Sequence, residues 1–353
     1  MYPEEQNTEQ MDEALRRRYN ERKQAIKKAR RRRAIIRLVI RAAVVLLAII
    51  ILISVIVSSC GKKEVSDADL PQSEVEYTSS VEQQPEPTLP KVAADMETPS
   101  DVNSRFVAIL SLENNEIIAS KSMHERIYPA SLTKIMTLLV AFENNPDLDK
   151  TFTVTNAIID PLYREEATLA GFLDGEAVTI RDLLYGTVLP SGAEAAEGVA
   201  IATSGSVKDF LKLMNKKAKD LGLKNTHFAN VTGLHDKQNY STAYDMAVIL
   251  SEALKHPLCR EIMETYQYTT APTDKHPSGV PLTSTIFSYM YGTEPEGSDI
   301  LGGKTGYTDQ AGYCIAAFGK ADDGSEYISI TAKGDSRWPA VYDQINLFSM
   351  YAK

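Results

Sequence analysis

Tyr128-Pro129-Ala130-Ser131-Leu132-Thr133-Lys134-Ile135-Met136-Thr137 is the stretch on which the reading of this 353-residue chain turns. Pro129-Ala130-Ser131 opens a helix. Ile135, Leu138, Leu139 and Phe142 then recur at helical spacing until Asn144-Asn145-Pro146 ends it. Residues three apart on a helix share a face, which puts the Lys134 amine beside the Ser131 hydroxyl. A serine hydroxyl is a weak nucleophile until a base takes its proton. Lysine becomes such a base when burial and a neighbouring cation lower its pKa. The positive end of the helix dipole favours the alkoxide that results. Taken alone, the Ser-x-x-Lys spacing has a plainer explanation, a capping serine followed by a surface lysine.

Two further stretches give the first its context. Ser191-Gly192-Ala193 follows Leu189-Pro190 and precedes a helix. A serine there can pass a proton between base and leaving amine, although the position also suits an ordinary N-cap. Lys304-Thr305-Gly306 follows Gly302-Gly303 and precedes a strand. A cation, a hydroxyl and a close-approach backbone on a strand edge suit a terminal carboxylate, and an extended peptide can add there as an extra strand. Gly-Lys-Thr also suggests a phosphate loop, but that motif needs glycine at 298, which is Ser298. His124, His227, His235, His256 and His276 show no metal spacing, so neither a metal nor another cofactor is expected. His235 reads as structural and Glu165-Glu166 as a solvated pair.

Around these stretches the chain alternates strand-like and helix-like patterns. Phe106 to Leu112 and Glu116 to Ala119 form a hairpin across Asn114-Asn115. Ile180 to Val188, Ala193 to Ala202, Val207 to Leu221 and Ala243 to Leu254 read as helices. Gly312 to Gly319 and Glu326 to Ala332 are strands joined by the Asp322-Asp323-Gly324 turn, and a last helix runs from about Pro339 to Tyr351. Strands at both ends with helices between predict an α+β fold, one sheet built from both ends with a helical subdomain inserted.

The N-terminal part is different. Residues 1–41 carry 13 Lys/Arg against 6 Asp/Glu, a balance of +7, whereas residues 42–353 carry −16. Residues 42–59, AAVVLLAIIILISVIVSS, hold no charge. Eighteen helical residues rise about 27 Å, close to the roughly 30 Å hydrocarbon core of a bilayer. Lys27, Lys28 and Arg30 to Arg33 precede the span, so the N-terminus is expected in the cytoplasm and the rest outside. The expected organisation is a basic tail over 1–33, a transmembrane signal-anchor over 34–59, a disordered Pro/Glu/Gln/Ser/Thr linker over 60–100 and a catalytic domain over 101–353. Val57-Ser58-Ser59-Cys60 also resembles a bacterial lipobox, the less favoured anchor. Cys314, in an apolar run, reads as a small core hydrophobe. The cytoplasmic membrane is an expected partner and nucleic acid is not.

Ser-x-x-Lys, a Ser-led second motif and Lys-Thr-Gly in this order are the set of serine penicillin-recognising enzymes. The chain resembles the low-molecular-weight penicillin-binding proteins, the serine D-Ala-D-Ala carboxypeptidases of peptidase family S11. The resemblance runs over about residues 104–335. It also takes in Asp182-Leu183-Leu184-Tyr185-Gly186, Thr226-His227-Phe228, Thr232-Gly233-Leu234-His235, Tyr240-Ser241-Thr242-Ala243-Tyr244-Asp245-Met246 and Gly303-Lys304-Thr305-Gly306-Tyr307-Thr308. It implies a β-lactamase/transpeptidase-like fold, an antiparallel sheet flanked by helices. It implies Ser131 as the acylated nucleophile, Lys134 as its proton acceptor and Ser191 as a proton relay. Lys304, Thr305, Gly306 and Tyr307 would bind substrate, with backbone N–H groups of Ser131 and Tyr307 as the oxyanion hole. The implied substrate is a peptidoglycan stem peptide ending in D-Ala-D-Ala, and β-lactams would inhibit. The family's second motif usually ends in Asn, and here Ala193 stands there. That departure motivates a second reading, a catalytically impaired wall-binding homologue, and the shared scaffold leaves a third, a class A-like β-lactamase.

Overall fold

The computed structural model describes residues 88–144, 147–290 and 292–353. The expected tail over 1–33, the anchor over 34–59, Cys60 and the linker up to residue 87 lie outside them. Among the described residues no helix is long and apolar enough to cross a membrane.

The described chain begins with β1 (Lys91–Glu97), β2 (Phe106–Ser111) and β3 (Glu116–Lys121). A 3-10 turn, Ala130–Leu132, leads into α1 (Thr133–Asn144). The middle holds β4 (Thr151–Thr153), α2 (Asn156–Arg164), β5 (Ala177–Thr179), α3 (Ile180–Val188), α4 (Ala193–Ser204), α5 (Val207–Asp220), α6 (Ala243–Leu254) and α7 (Pro257–Glu264). Then come β6 (Gln267–Thr269), β7 (Pro281–Thr283), α8 (Thr285–Met290), β8 (Ser298–Thr308), β9 (Gly312–Ala321), β10 (Glu326–Gly334) and α9 (Arg337–Tyr351).

Both ends of the described chain meet in one six-stranded sheet of order β1-β3-β2-β10-β9-β8, as the strand–helix–strand pattern predicts. Side chains alternate across a strand, so each strand serves two cores. Val107 and Ile109 of β2 meet Leu347 of α9, whereas Ala108 and Leu110 join the larger core with α1 and α6. In β9, Ile315 and Ala317 pack with Val341 and Phe348 of α9 while Ala316 and Phe318 face the other way. Helices therefore cover both faces. Thr179 and Thr242 accept the Asp182 and Asp245 amides through their side chains, fixing the starts of α3 and α6. Cys314 is buried, and burial pushes its thiol up to about 11, so it packs as a hydrophobe.

Two elements differ from the sequence expectation. The expected linker ran to residue 100, yet Lys91–Glu97 is a strand, paired in parallel with β3 from Lys91↔Glu116. Most of its side chains face solvent, so it lacks the alternation that announces a strand; its backbone pairing with β3 holds it. Lys304-Thr305-Gly306 was expected before a strand and lies inside one, β8, whose pairing with β9 runs on to Thr308↔Gly312.

Candidate active site

The 3-10 turn at the head of α1 presents Ser131. Ala130 just before it adopts φ +48°, a left-handed conformation unusual outside glycine, of the kind strained sites carry. Lys134 follows in the first turn of α1, and its Nζ lies 3.3 Å from the Ser131 Oγ, as the i, i+3 spacing predicts. The same amine donates to the Thr232 carbonyl at 2.7 Å. The Asn230 side chain shapes that carbonyl's loop, accepting the Gly233 amide at 2.6 Å.

Lys134 is only 2% exposed. Burial lowers its pKa to about 7, against the opposing pull of the Glu194 carboxylate. At neutral pH a large fraction is therefore free amine, the form able to accept the Ser131 proton. Lys304, 1% exposed, is pushed well below its ordinary value by burial and then by the charge of Lys134. The structure thus sets the half-buried Ser131 of the 3-10 turn beside the buried Lys134 of α1, with the buried Lys304 of β8 close enough to act on it.

The rest of the third motif divides. The Lys304 Nζ donates to the Thr305 carbonyl at 2.9 Å. The Thr305 hydroxyl is paired with the Thr285 hydroxyl of α8 at 2.7 Å. Gly306 brings the β8 backbone up to the nucleophile, since a Cβ there would fall 2.8 Å from the Ser131 amide nitrogen. Tyr307 is 51% exposed, tilts against the Tyr313 ring at 4.5 Å and donates its hydroxyl to Asp309.

A model of the D-alanyl-D-alanine carboxypeptidase family, Peptidase S11, matches residues 93–335. The chain belongs to this family. Its carboxypeptidase relatives include DacF of Bacillus subtilis, 37% identical over 224 residues, covering 62% of this chain and 54% of that protein. A Streptomyces D-alanyl-D-alanine carboxypeptidase is 36% identical over 203 residues, 56% of this chain and 69% of its own. The chain thus spans little more than half of the Bacillus protein. Among solved structures, a Streptomyces DD-transpeptidase superposes with a TM-score of 0.64 at 29% identity, covering 72% of this chain and 99% of that one. Penicillin-binding protein 5 of Haemophilus influenzae gives 0.64 at 25% identity, over 71% of each chain. The mixed α+β fold expected from the strand–helix–strand pattern is the one these solved structures have.

The second motif of this D-Ala-D-Ala carboxypeptidase family member is held differently from the other two. Ser191 adopts φ +69°, and its Oγ is buried with no hydrogen-bond partner among the described residues. Ala193 packs with Ile158 and Leu162 of α2, so an apolar contact stands at the position where the resemblance led one to expect Asn. Glu194 beside it is fully buried. His235 packs edge-on against Tyr128 at 4.8 Å, the structural role expected of it. Sequence reasoning gave no role to Thr232, because it acts through a carbonyl that any residue would supply.

The close approach at Gly306 makes a prediction. Gly306→Ala forces the Ser131 amide and the β8 backbone apart, and displacements of about 1 Å cost roughly 100-fold in rate. Acylation by a labelled penicillin should slow by about that factor while the melting temperature changes by only a few degrees. An unchanged rate would show that the β8 edge does not set the nucleophile's position.

Proposed function

We propose that this chain is a membrane-tethered serine D-Ala-D-Ala carboxypeptidase acting on peptidoglycan stem peptides through an acyl-enzyme on Ser131. The observation that carries this reading is the buried Lys134 amine, 3.3 Å from the Ser131 Oγ and lowered to about 7. The Lys134 amine takes the hydroxyl proton as Oγ attacks the penultimate D-Ala carbonyl carbon. The peptide C–N bond then breaks, and the departing D-Ala amine takes up a proton, with Ser191 as the relay. Water hydrolyses the ester, returning Ser131 and a peptide shorter by one residue. The substrate's terminal carboxylate would sit at Lys304 and Thr305, restoring the ammonium form that burial disfavours at Lys304. Backbone N–H groups of Ser131 and Tyr307 would hold the oxyanion.

On this reading, residues 34–59 anchor the chain in the cytoplasmic membrane. The linker between anchor and β1 holds the catalytic part outside, within reach of the wall. The test is incubation of the full chain, solubilised in detergent, with a peptide ending in D-Ala-D-Ala. Free D-Ala and the shortened peptide should appear in equal amounts. No release, with intact binding of the peptide, would favour the impaired homologue that Ala193 suggests.

A further inference from the structure

Four consecutive backbone amides outside any helix or strand end on two buried carboxylates. Glu194 Oε1 accepts the N–H groups of Ala170 at 2.7 Å, Gly171 at 2.9 Å and Phe172 at 3.3 Å. Glu176 Oε2 accepts that of Leu173 at 2.8 Å, and its Oε1 is held by the Thr273 hydroxyl at 2.7 Å and His276 Nδ1 at 2.8 Å. Both glutamates are 0% exposed. Burying a carboxylate is costly unless it is well hydrogen-bonded, so such a placement ties down what it touches.

What they tie down is a strap, residues 168–173, lying on the second motif. The Thr168 carbonyl accepts the Ala193 amide at 2.8 Å. A Cβ on Gly192 would fall 2.6 Å from the Ala170 Cβ, so strap and turn are in direct contact and only glycine fits between them. Ala167 and Leu169 pack in the same apolar cluster as Ala193. The turn so pressed is the one that holds Ser191 at φ +69°. A residue in that conformation keeps it only when its surroundings enforce it.

Glu194 has a second property. Its Oε2 is buried with no hydrogen-bond partner among the described residues, and its charge acts on Lys134. Burial pushes the Glu194 pKa up, and the strap amides that donate to it oppose that rise by favouring the charged form.

We infer that Glu194 is a positioning residue whose carboxylate clamps the 170–172 backbone onto the Ser191–Ala193 turn. This rests on the reading of Ser131 and Lys134 as the reacting pair. It supplies from position 194 an anchoring of the second motif in a chain where position 193 carries only a methyl group.

The test compares E194Q, E194D and E194A in the full chain by two readouts. The first is amide hydrogen exchange in a peptide covering 168–173. E194Q keeps a carbonyl oxygen for the three amides, so its exchange should stay within about twofold of the unmodified chain. E194A, and E194D with its shorter arm, should exchange at least ~10-fold faster there. The second is the acylation rate with a labelled penicillin from about pH 5.5 to about pH 9. E194A and E194D should slow by roughly 30-fold and E194Q by less than about fivefold.

E194A with unchanged exchange over 168–173, or with an unchanged acylation rate, would overturn the inference. If E194A does not fold, E194D against E194Q decides in the same way. If the unmodified chain takes up no penicillin, the proposed function fails and the exchange readout alone decides for or against the clamp.

Discussion

Ser131→Ala should reduce release of D-Ala from a D-Ala-D-Ala peptide by at least ~10⁴-fold, since removing the nucleophile of a coupled catalytic group costs nearly the whole rate enhancement. The substitution removes one oxygen from a half-buried position. The Lys134 amine loses a neighbour at 3.3 Å but keeps the Thr232 carbonyl at 2.7 Å. Stability should therefore change by less than about 1 kcal/mol, within the range of a single exposed hydrogen bond. A chain that folds normally, binds the peptide and releases no D-Ala is the expected result, read by coupled detection of free D-Ala alongside a urea melt. Residual release within about tenfold of the unmodified chain would mean that another group is acylated.

Lys134→Met should lower the acylation rate by roughly 10³-fold, the scale of a lost general base. Methionine is unbranched, one atom shorter and fills most of the same buried space, so the loss is chemical. The unmodified chain should show the base in its pH profile. With Lys134 lowered to about 7, acylation should fall about tenfold per pH unit below that value and level off above it. Stability gives an independent sign. The folded chain gives up this proton near pH 7 and the unfolded chain only near 10.5. Between those values the unfolded state binds more protons, so this group makes folding more favourable as pH rises. Below about pH 7 the amine is charged in both states and its burial cost is felt in full. Urea midpoints of the unmodified chain, measured relative to Lys134→Met, should accordingly rise between pH 7 and pH 10. A flat difference would place the Lys134 pKa near its ordinary value and remove it as the base.

The parts of the site that can be read from sequence are those whose geometry is local. Ser131 and Lys134 are three residues apart at the head of one helix, so their meeting follows from the period alone. Helices α3 and α6 carry capping threonines that mark where they start, and both match the pattern read from the chain. The parts that escape reading depend on distant backbone. The three amides that Glu194 holds lie 22 to 24 residues upstream, in a segment with no period to announce it. The α2 helix contains Pro161, which reads as a breaker. The Thr305 hydroxyl is also paired with Thr285, a partner that no local spacing reveals.

The central claim is that Ser131 becomes acylated. Intact mass of the full chain after exposure to a labelled penicillin, followed by digestion to locate the label, tests it most directly. The account predicts one lasting adduct per chain, on the peptide that contains Ser131, and none in Ser131→Ala. No adduct, an adduct that survives in Ser131→Ala, or rapid hydrolysis of penicillin with nothing retained would contradict it.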